Sequence, residues 1–307
     1  MFKTLVIIVT YNAHHWIRKC LDSVDMNRYD VFIADNCSSD DTIDIIRAEY
    51  SKVILHEVGK NLGFGQANNI GFRYAIDNDY DFVFLMNQDA WIMADTIEKL
   101  ISAQQQQPEY WALSPLQLNS ERHGLECNFE NFLRKNAANK VSIDNLCNSF
   151  SNDKEINSSG IIEMSFVNAA LWLLPINCIK IVGGFNPVFP HYGEDIDYIN
   201  RIHYWEGKVG VDVSTKSYHE HKSINISRDD EKLYHEKICF LVMMMNINNR
   251  HLSNSLRCYM FILRKSIKYV LNFDRIQLQR LFSAYKLAQE MYSIKYFDMA
   301  KCQCAFL

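Results

Sequence analysis

The stretch Asp81-Phe82-Val83-Phe84-Leu85-Met86-Asn87-Gln88-Asp89 decides how this chain is read. Five apolar residues in succession, Phe82 to Met86, suit a strand covered on both faces. An amide, a second amide and a carboxylate then follow at its carboxyl end. Working outward, Leu5 to Val9 is another continuous β-branched run, Val31 to Ala34 a third, and Val53 to Leu55 a shorter one. Helical patterns lie between and after these runs, at His15 to Val24, from Asp40-Asp41 with acids in the first turn, at Phe64 to Ile76 and at Asp95 to Gln107. Strands alternating with helices at this spacing predict an α/β fold, a mostly parallel sheet flanked by helices.

Regularity fades between Leu118 and Gly160, which reads as an irregular insertion and a candidate flap. It resumes with Ile161 to Leu174, a Gly183-Gly184-Phe185 turn, a helix near Asp195 to Trp205 and a short strand, Val209 to Val213. From Arg228 the pattern is helical almost to the end. Charge divides the chain in the same place. Residues 222–307 hold 14 Lys and Arg against 7 Asp and Glu, whereas residues 1–221 hold 18 against 29. An acidic body with a basic helical extension suggests two parts, 1–221 and 222–307, with different partners. The body has no basic stripe, so nucleic acid is not an expected partner.

The bulk numbers exclude other classes. With 307 residues, 48% hydrophobic and 22% charged, the composition is that of a globular chain. Nine cysteines occur without a CxxC pair, and Cys302-Gln303-Cys304 is too close-set for a zinc site. No secretory signal is recognised, so free thiols in a reducing cytoplasm are expected. No stretch reaches the ~18–20 apolar residues that span a bilayer.

In an open α/β sheet, ligands bind beyond the carboxyl ends of the strands. Those ends carry Thr10-Tyr11-Asn12, Asp35-Asn36-Cys37-Ser38-Ser39-Asp40, Asn61-Leu62-Gly63-Phe64-Gly65 and Asn87-Gln88-Asp89. Four polar strand ends converging on one crevice mark a site, which a fold alone does not need. Gly63 and Gly65 before a helix imitate a dinucleotide fingerprint, but its third glycine position is Asn68, and the first strand–helix turn holds no glycine. A phosphate loop of the GxxxxGK[ST] type is also missing.

Val9-Thr10-Tyr11-Asn12, Asp35-Asn36 with Ser38 and Asp40, Asn61-x-Gly63-x-Gly65-x-Ala67-Asn68, Asn87-x-Asp89, Gly183-Gly184-Phe185 and Glu194-Asp195 come in an order that resembles glycosyltransferase family 2. These are inverting sugar transferases of GT-A fold, and the chain is most similar to their bacterial rhamnosyltransferase-like branch. The resemblance covers roughly the first 220 residues. It implies a UDP- or dTDP-sugar donor, dTDP-rhamnose being one candidate. Thr10, Tyr11, Asn12, Asp35, Asn36, Asn61, Gly63, Asn68, Asn87 and Gln88 would lie at the donor, with Asp35 accepting the imide hydrogen of a uracil or thymine ring. The resemblance also implies a divalent metal, Mg2+ or Mn2+, held by Asp89 and a downstream histidine. Tyr218-His219-Glu220-His221 offers two histidines, and His219 aligns better. Asp195 would be the general base that takes the acceptor's proton, and Glu194 would orient the acceptor. Asn87 stands where the fold usually has the first Asp of Asp-x-Asp, a change common in that branch.

Each motif alone has a plainer reading: Asp89 a helix cap, Glu194-Asp195 an acidic first turn, the histidines surface groups. Their order and their shared placement at strand ends argue against that. A nucleotidyltransferase would want a basic, glycine-rich first loop, and Thr10 to Trp16 offers only histidines. A catalytically degenerate nucleotide-sugar or glycan binder is the other rival, encouraged only by Asn87. The expected reaction is sugar transfer to a saccharide acceptor in surface polysaccharide biosynthesis, in the cytoplasm. In the extension, Leu256, Met260, Leu263, Ile267 and Leu271 share one helical face, and Arg257, Arg264, Lys268 and Arg275 recur beside it. Two readings stay open: the face lies on the inner surface of the cell membrane and meets a lipid-linked acceptor, or it packs on the body or a second copy. Packing is the plainer of the two.

Overall fold

A computed structural model describes residues 2–119, 124–139, 143–144, 146, 160–220 and 228–307. Strands β1 (Thr4–Thr10), β2 (Asp30–Asp35), β3 (Ile54–Glu57) and β4 (Phe82–Asn87) alternate with helices α1 (Ile17–Asp22), α2 (Thr42–Glu49) and α3 (Gly63–Asp77). The short β5 (Ala90–Ile92), α4 (Thr96–Gln106), β6 (Tyr110–Leu118), α5 (Cys127–Asn136), β7 (Ile161–Met164) and β8 (Leu171–Pro175) follow. Then come α6 (Ile176–Val182), α7 (Glu194–Tyr204) and β9 (Lys208–His219). The extension is α8 (Arg228–Met245), α9 (His251–Leu271), α10 (Arg275–Met291) and α11 (Ile294–Met299).

The strands form one nine-stranded sheet in the order β3-β2-β1-β4-β8-β6-β9-β5, with β7 on β9. The expected parallel half is present: β3, β2, β1 and β4 run together. The second half is mixed, because β8 is antiparallel to β4 and β6, while β9 is parallel to β6 and antiparallel to β5 and β7. Apolar runs such as Leu5–Ile8 and Phe82–Met86 are buried on both faces. One face packs Ile7, Phe72, Trp172, Phe185 and Tyr198, and the other Val6, Ile8, Ile17, Ile33 and Leu100.

Three boundaries differ from the sequence reading. The expected strand Val209–Val213 runs on to His219, carried by its pairing with β6 as far as Leu118 opposite Tyr218. The expected helix at His15–Val24 shortens to Ile17–Asp22, since the turn at Ala13 to Trp16 precedes it. The supposed irregular insertion contains α5, whose first turn is held by the Glu126 carboxylate accepting from Phe129 N at 2.7 Å while Phe129 and Leu133 are buried. Much of the remaining 118–160 stretch, and with it the candidate flap, lies outside the described residues.

The extension is helical as expected and shares a core with the body. Phe240, Leu241 and Met245 of α8 and Leu281 and Ala284 of α10 pack with Val188 and Phe189. The chain then returns to the Gly183-Gly184 turn, where Gly184 N donates to Ala305 O at 2.7 Å. A Cβ on Gly183, whose φ is +89°, would meet that same oxygen at 2.0 Å.

Candidate active site

The register of the parallel ladders sets the strand ends side by side: Thr10 pairs with Asp35, and Val9 with Asn87. Side chains then tie the loops beyond them together. Asn12, with φ of 51°, donates from its backbone N to Ser38 Oγ at 2.9 Å and accepts from Ser39 N at 2.8 Å. Gln88 bonds the Tyr11 backbone twice, accepting from N at 2.8 Å and donating to O at 3.2 Å. Asn36 does the same ahead of α3, donating to Gly63 O at 3.1 Å and accepting from Leu62 N at 3.2 Å. Asn61 accepts from Gly63 N at 2.9 Å. The amides that open the crevice thus act as backbone substitutes beyond the ends of the ladders.

Asp35 is wholly buried. Its Oδ1 accepts from Thr10 Oγ1 at 2.7 Å and Ser38 Oγ at 2.6 Å, and its Oδ2 from Ser38 N at 2.8 Å. Asn68 is buried as well and donates to Phe64 O at 3.0 Å within α3, so that bond spends its amide inside the helix. Gly63 and Gly65 also lie tight against other parts of the chain. A Cβ on Gly63, at φ +78°, would lie 2.0 Å from Pro190 O, and one on Gly65 would lie 2.8 Å from Phe185 Cβ. Their missing side chains let protein meet protein.

Asp89 and His219 are distant in sequence and adjacent in space. Antiparallel pairing of β5 with β9 sets Ala90 opposite His219, and Glu220 N donates to Asp89 O at 3.1 Å. His219 Nε2 lies 3.4 Å from Asp89 Oδ1 and 3.4 Å from Asn87 Nδ2. The imidazole is buried, while the Asp89 side chain keeps 22% of its surface in solvent. His221 lies outside the described residues. Among the described residues no group of three or more His, Cys, Asp or Glu could hold a metal ion. One carboxylate beside one imidazole nevertheless fits a divalent cation that takes its other ligands from phosphate oxygens and water.

The second acidic group opens α7. Gly193 precedes it at φ +89°, where a Cβ would strike Ile238 and Phe189, so a left-handed glycine aims the helix start. Asp195 Oδ1 accepts from Ile196 N at 2.8 Å, and the Ala169 backbone also faces the carboxylate. Burial lifts Asp195 to about 6. Glu194 is lifted further, to about 8, by burial first and the neighbouring Asp195 charge second. Glu194 Oε2 is buried and has no hydrogen-bond partner among the described residues. Asp197 turns inward, where its Oδ2 accepts from Arg201 Nε at 2.9 Å. That guanidinium also donates to Val182 O and Gly184 O, each at 2.7 Å. The buried pair ties α7 to the glycine turn and removes Asp197 as a rival base.

One part of the site lies in the Phe189 to Gly193 stretch, where the sequence suggested sugar contacts without naming residues. Tyr192, exposed and at φ 61°, stands two residues before Glu194 with its ring 6.3 Å from Tyr234 and 5.5 Å from His235. Tyr234 Oη donates to His191 O at 2.6 Å. The aromatic pair ahead of the acids was a visible signal for Tyr192. Nothing in α8 marked Tyr234 or His235, which reach the rim only because the extension packs on the body.

Residues 5–123 match the family described as Glycosyl transferase family 2. That span holds Thr10 through Asp89; Glu194, Asp195 and His219 lie beyond it. Glycosyltransferase GlyA of Streptococcus pneumoniae is 31% identical over 104 residues, 32% of this chain and 14% of that protein. Glycosyltransferase SunS of Bacillus subtilis prophage SPbeta is 34% identical over 83 residues, 27% of this chain and 19% of that protein. The chain therefore spans less than a fifth of these relatives' length. S. aureus TarS in complex with UDP-GlcNAc superposes with a TM-score of 0.57 at 12% identity, over 97% of this chain and 90% of that one. A mannosyltransferase from Pyrobaculum calidifontis, in complex with GDP-Man and Mn2+, gives 0.56 at 14% identity, over 97% and 78%. At such identity the likeness shows a shared fold, the α/β arrangement of GT-A glycosyltransferases.

Proposed function

We propose that the protein is an inverting glycosyltransferase that moves a sugar from a UDP- or dTDP-sugar to a saccharide acceptor. The observation that carries this reading is that the segment just before β8 lies against two acidic groups with different environments. The first is Asp89 with His219, and the second is Glu194 with Asp195. Ala169 and Ala170 link them: the backbone of the former faces the Asp195 carboxylate, and Ala170 O accepts from Asn87 N at 2.9 Å. The complex of a neighbour with UDP-GlcNAc and the glycosyltransferase relatives support the donor class. Mn2+ in another neighbour supports a divalent metal.

In this reading Asp89 and His219 would hold a divalent cation, which would supply positive charge beside the leaving diphosphate. Asn12, Asn36 and Gln88 keep the donor loops in place, and Asp35 meets the nucleoside base through Oδ2, the oxygen that among the described residues accepts only from Ser38 N. An acceptor hydroxyl attacks the anomeric carbon as the bond from that carbon to the diphosphate oxygen breaks. The hydroxyl proton passes to Asp195. A carboxylate near pH 6 is ionised at neutrality and suited to the task, whereas Glu194, lifted to about 8, keeps its proton and can hold an acceptor oxygen. Tyr192, with Tyr234 and His235 beside it, offers the acceptor an aromatic rim. The rhamnosyltransferase-like branch and a role in surface polysaccharide synthesis complete the proposal.

Calorimetric titration of UDP and dTDP, with and without Mn2+ or Mg2+, on the wild type and Asp89→Ala tests it. Metal-enhanced binding that Asp89→Ala loses is expected. Absence of binding by either nucleotide under every metal condition overturns the transferase reading.

A further inference from the structure

Among the described residues, the outward face of α9 carries a run of uncovered apolar side chains. Leu256, Met260, Leu263, Ile267, Leu271 and the adjoining Phe273 are between 54% and 92% exposed. Of the packing that the sequence favoured for this face, on the body or on a second copy, the structure does not have the first. Cys258 and Ile262, on the opposite side of the helix, are buried against the other helices instead. A helix usually buries its one apolar stripe; α9 has two, and the second is wetted.

Charge selects what could cover it. Arg257, Arg264 and Lys268 run along one flank of the stripe, all exposed and without a salt bridge among the described residues. Between His251 and Leu271 the helix has no Asp or Glu. Pairing of this face with the same face of a second copy would bring like charges together with no carboxylate on the helix to offset them. An anionic lipid surface supplies the missing charge, and its acyl region accepts the Leu, Met and Ile side chains. No helix among the described residues is long and apolar enough to cross a membrane, so contact is lateral.

We propose that α9, continued by Phe273 and Ile276, is a membrane-surface helix for anionic lipid. The inference stands apart from the transferase reading, because lipid binding is measured without nucleotide or sugar. The full chain is floated with vesicles of phosphatidylcholine alone and of phosphatidylcholine mixed with phosphatidylglycerol, and its mass is followed by light scattering. Binding to the anionic vesicles only, weakened by salt, is expected. Replacing Arg257, Arg264 and Lys268 by Gln should lower partitioning about fivefold for each cation removed. Leu263→Glu with Ile267→Glu should abolish it, and both sets lie on the exposed face, so melting temperature should hold. Equal binding to uncharged vesicles, or none to either, overturns the proposal. So does a wild-type dimer that Leu263→Glu with Ile267→Glu splits without any vesicle binding, which would assign the face to a second copy.

Discussion

Asp195 and Asn87 meet consecutive residues of one segment: the Ala169 backbone faces the carboxylate of the first, and Ala170 O accepts from the backbone of the second. The proposed base thereby lies on the same segment as the strand end that leads to Asp89. Asp195→Asn should keep this geometry and lose proton acceptance. We expect kcat to fall about 10²–10⁴-fold while nucleotide affinity stays unchanged. Loss of nucleotide binding in parallel would assign Asp195 a structural role instead.

The pH profile follows from the same pair. A base raised to about 6 must lose its proton to act, so activity should climb from acid as pH passes about 6 and flatten above it. Steady-state rates across pH, with saturating donor, measure that limb. A profile flat from pH 5 to 8 would contradict the assignment.

Glu194 makes an opposite prediction for stability. A carboxyl raised in the fold holds its proton more tightly there than in the unfolded chain. Its contribution is therefore intact below the unfolded value of about 4 and is lost as pH rises through about 8. Glu194→Gln should raise Tm by about 2–4 °C at pH 9 and leave it unchanged at pH 4. Thermal scans at the two pH values decide it.

At the other half of the site, Asp89→Ala and His219→Ala should each weaken Mn2+-dependent UDP binding at least about tenfold. Metal-free binding should change little. Equal losses with and without metal would place both residues on the nucleotide rather than the cation.

Arg201 lies wholly buried against Asp197 and two backbone carbonyls. Arg201→Ala strands a buried carboxylate and should cost about 3–5 kcal/mol in urea unfolding. Asp197→Asn in the same chain should recover part of that loss.

The parallel half of the sheet was legible because Leu5 to Val9 and Phe82 to Met86 are continuous apolar runs with only one consistent burial. The strand-end residues were legible as a set because topology alone puts the ends of β1, β2 and β4 in one row. Partners were not. That Asp35 carries an acceptor at a strand end is plain from its position, but that Thr10 and Ser38 occupy much of it depends on loop conformation. His219 could be chosen over His221 only by resemblance, since its nearness to Asp89 comes from the three-residue pairing of β5 with β9. The start of α5 rests on one side-chain bond from Glu126, a signal too local for periodicity to catch. The exposed stripe on α9 was visible as a pattern, yet which of two apolar faces turns inward was decided by its packing on α8 and α10.

The meeting of Asp89 and His219 across β5 and β9 has a thermodynamic side. Three paired residues make a weak ladder, prone to open by itself. A cation bound to both side chains would close that ladder like a clasp, so occupancy and local opening are linked by mass action. Amide protons of Trp91 and Tyr218 would then report the loading of the site through their exchange with solvent, without any sugar being transferred.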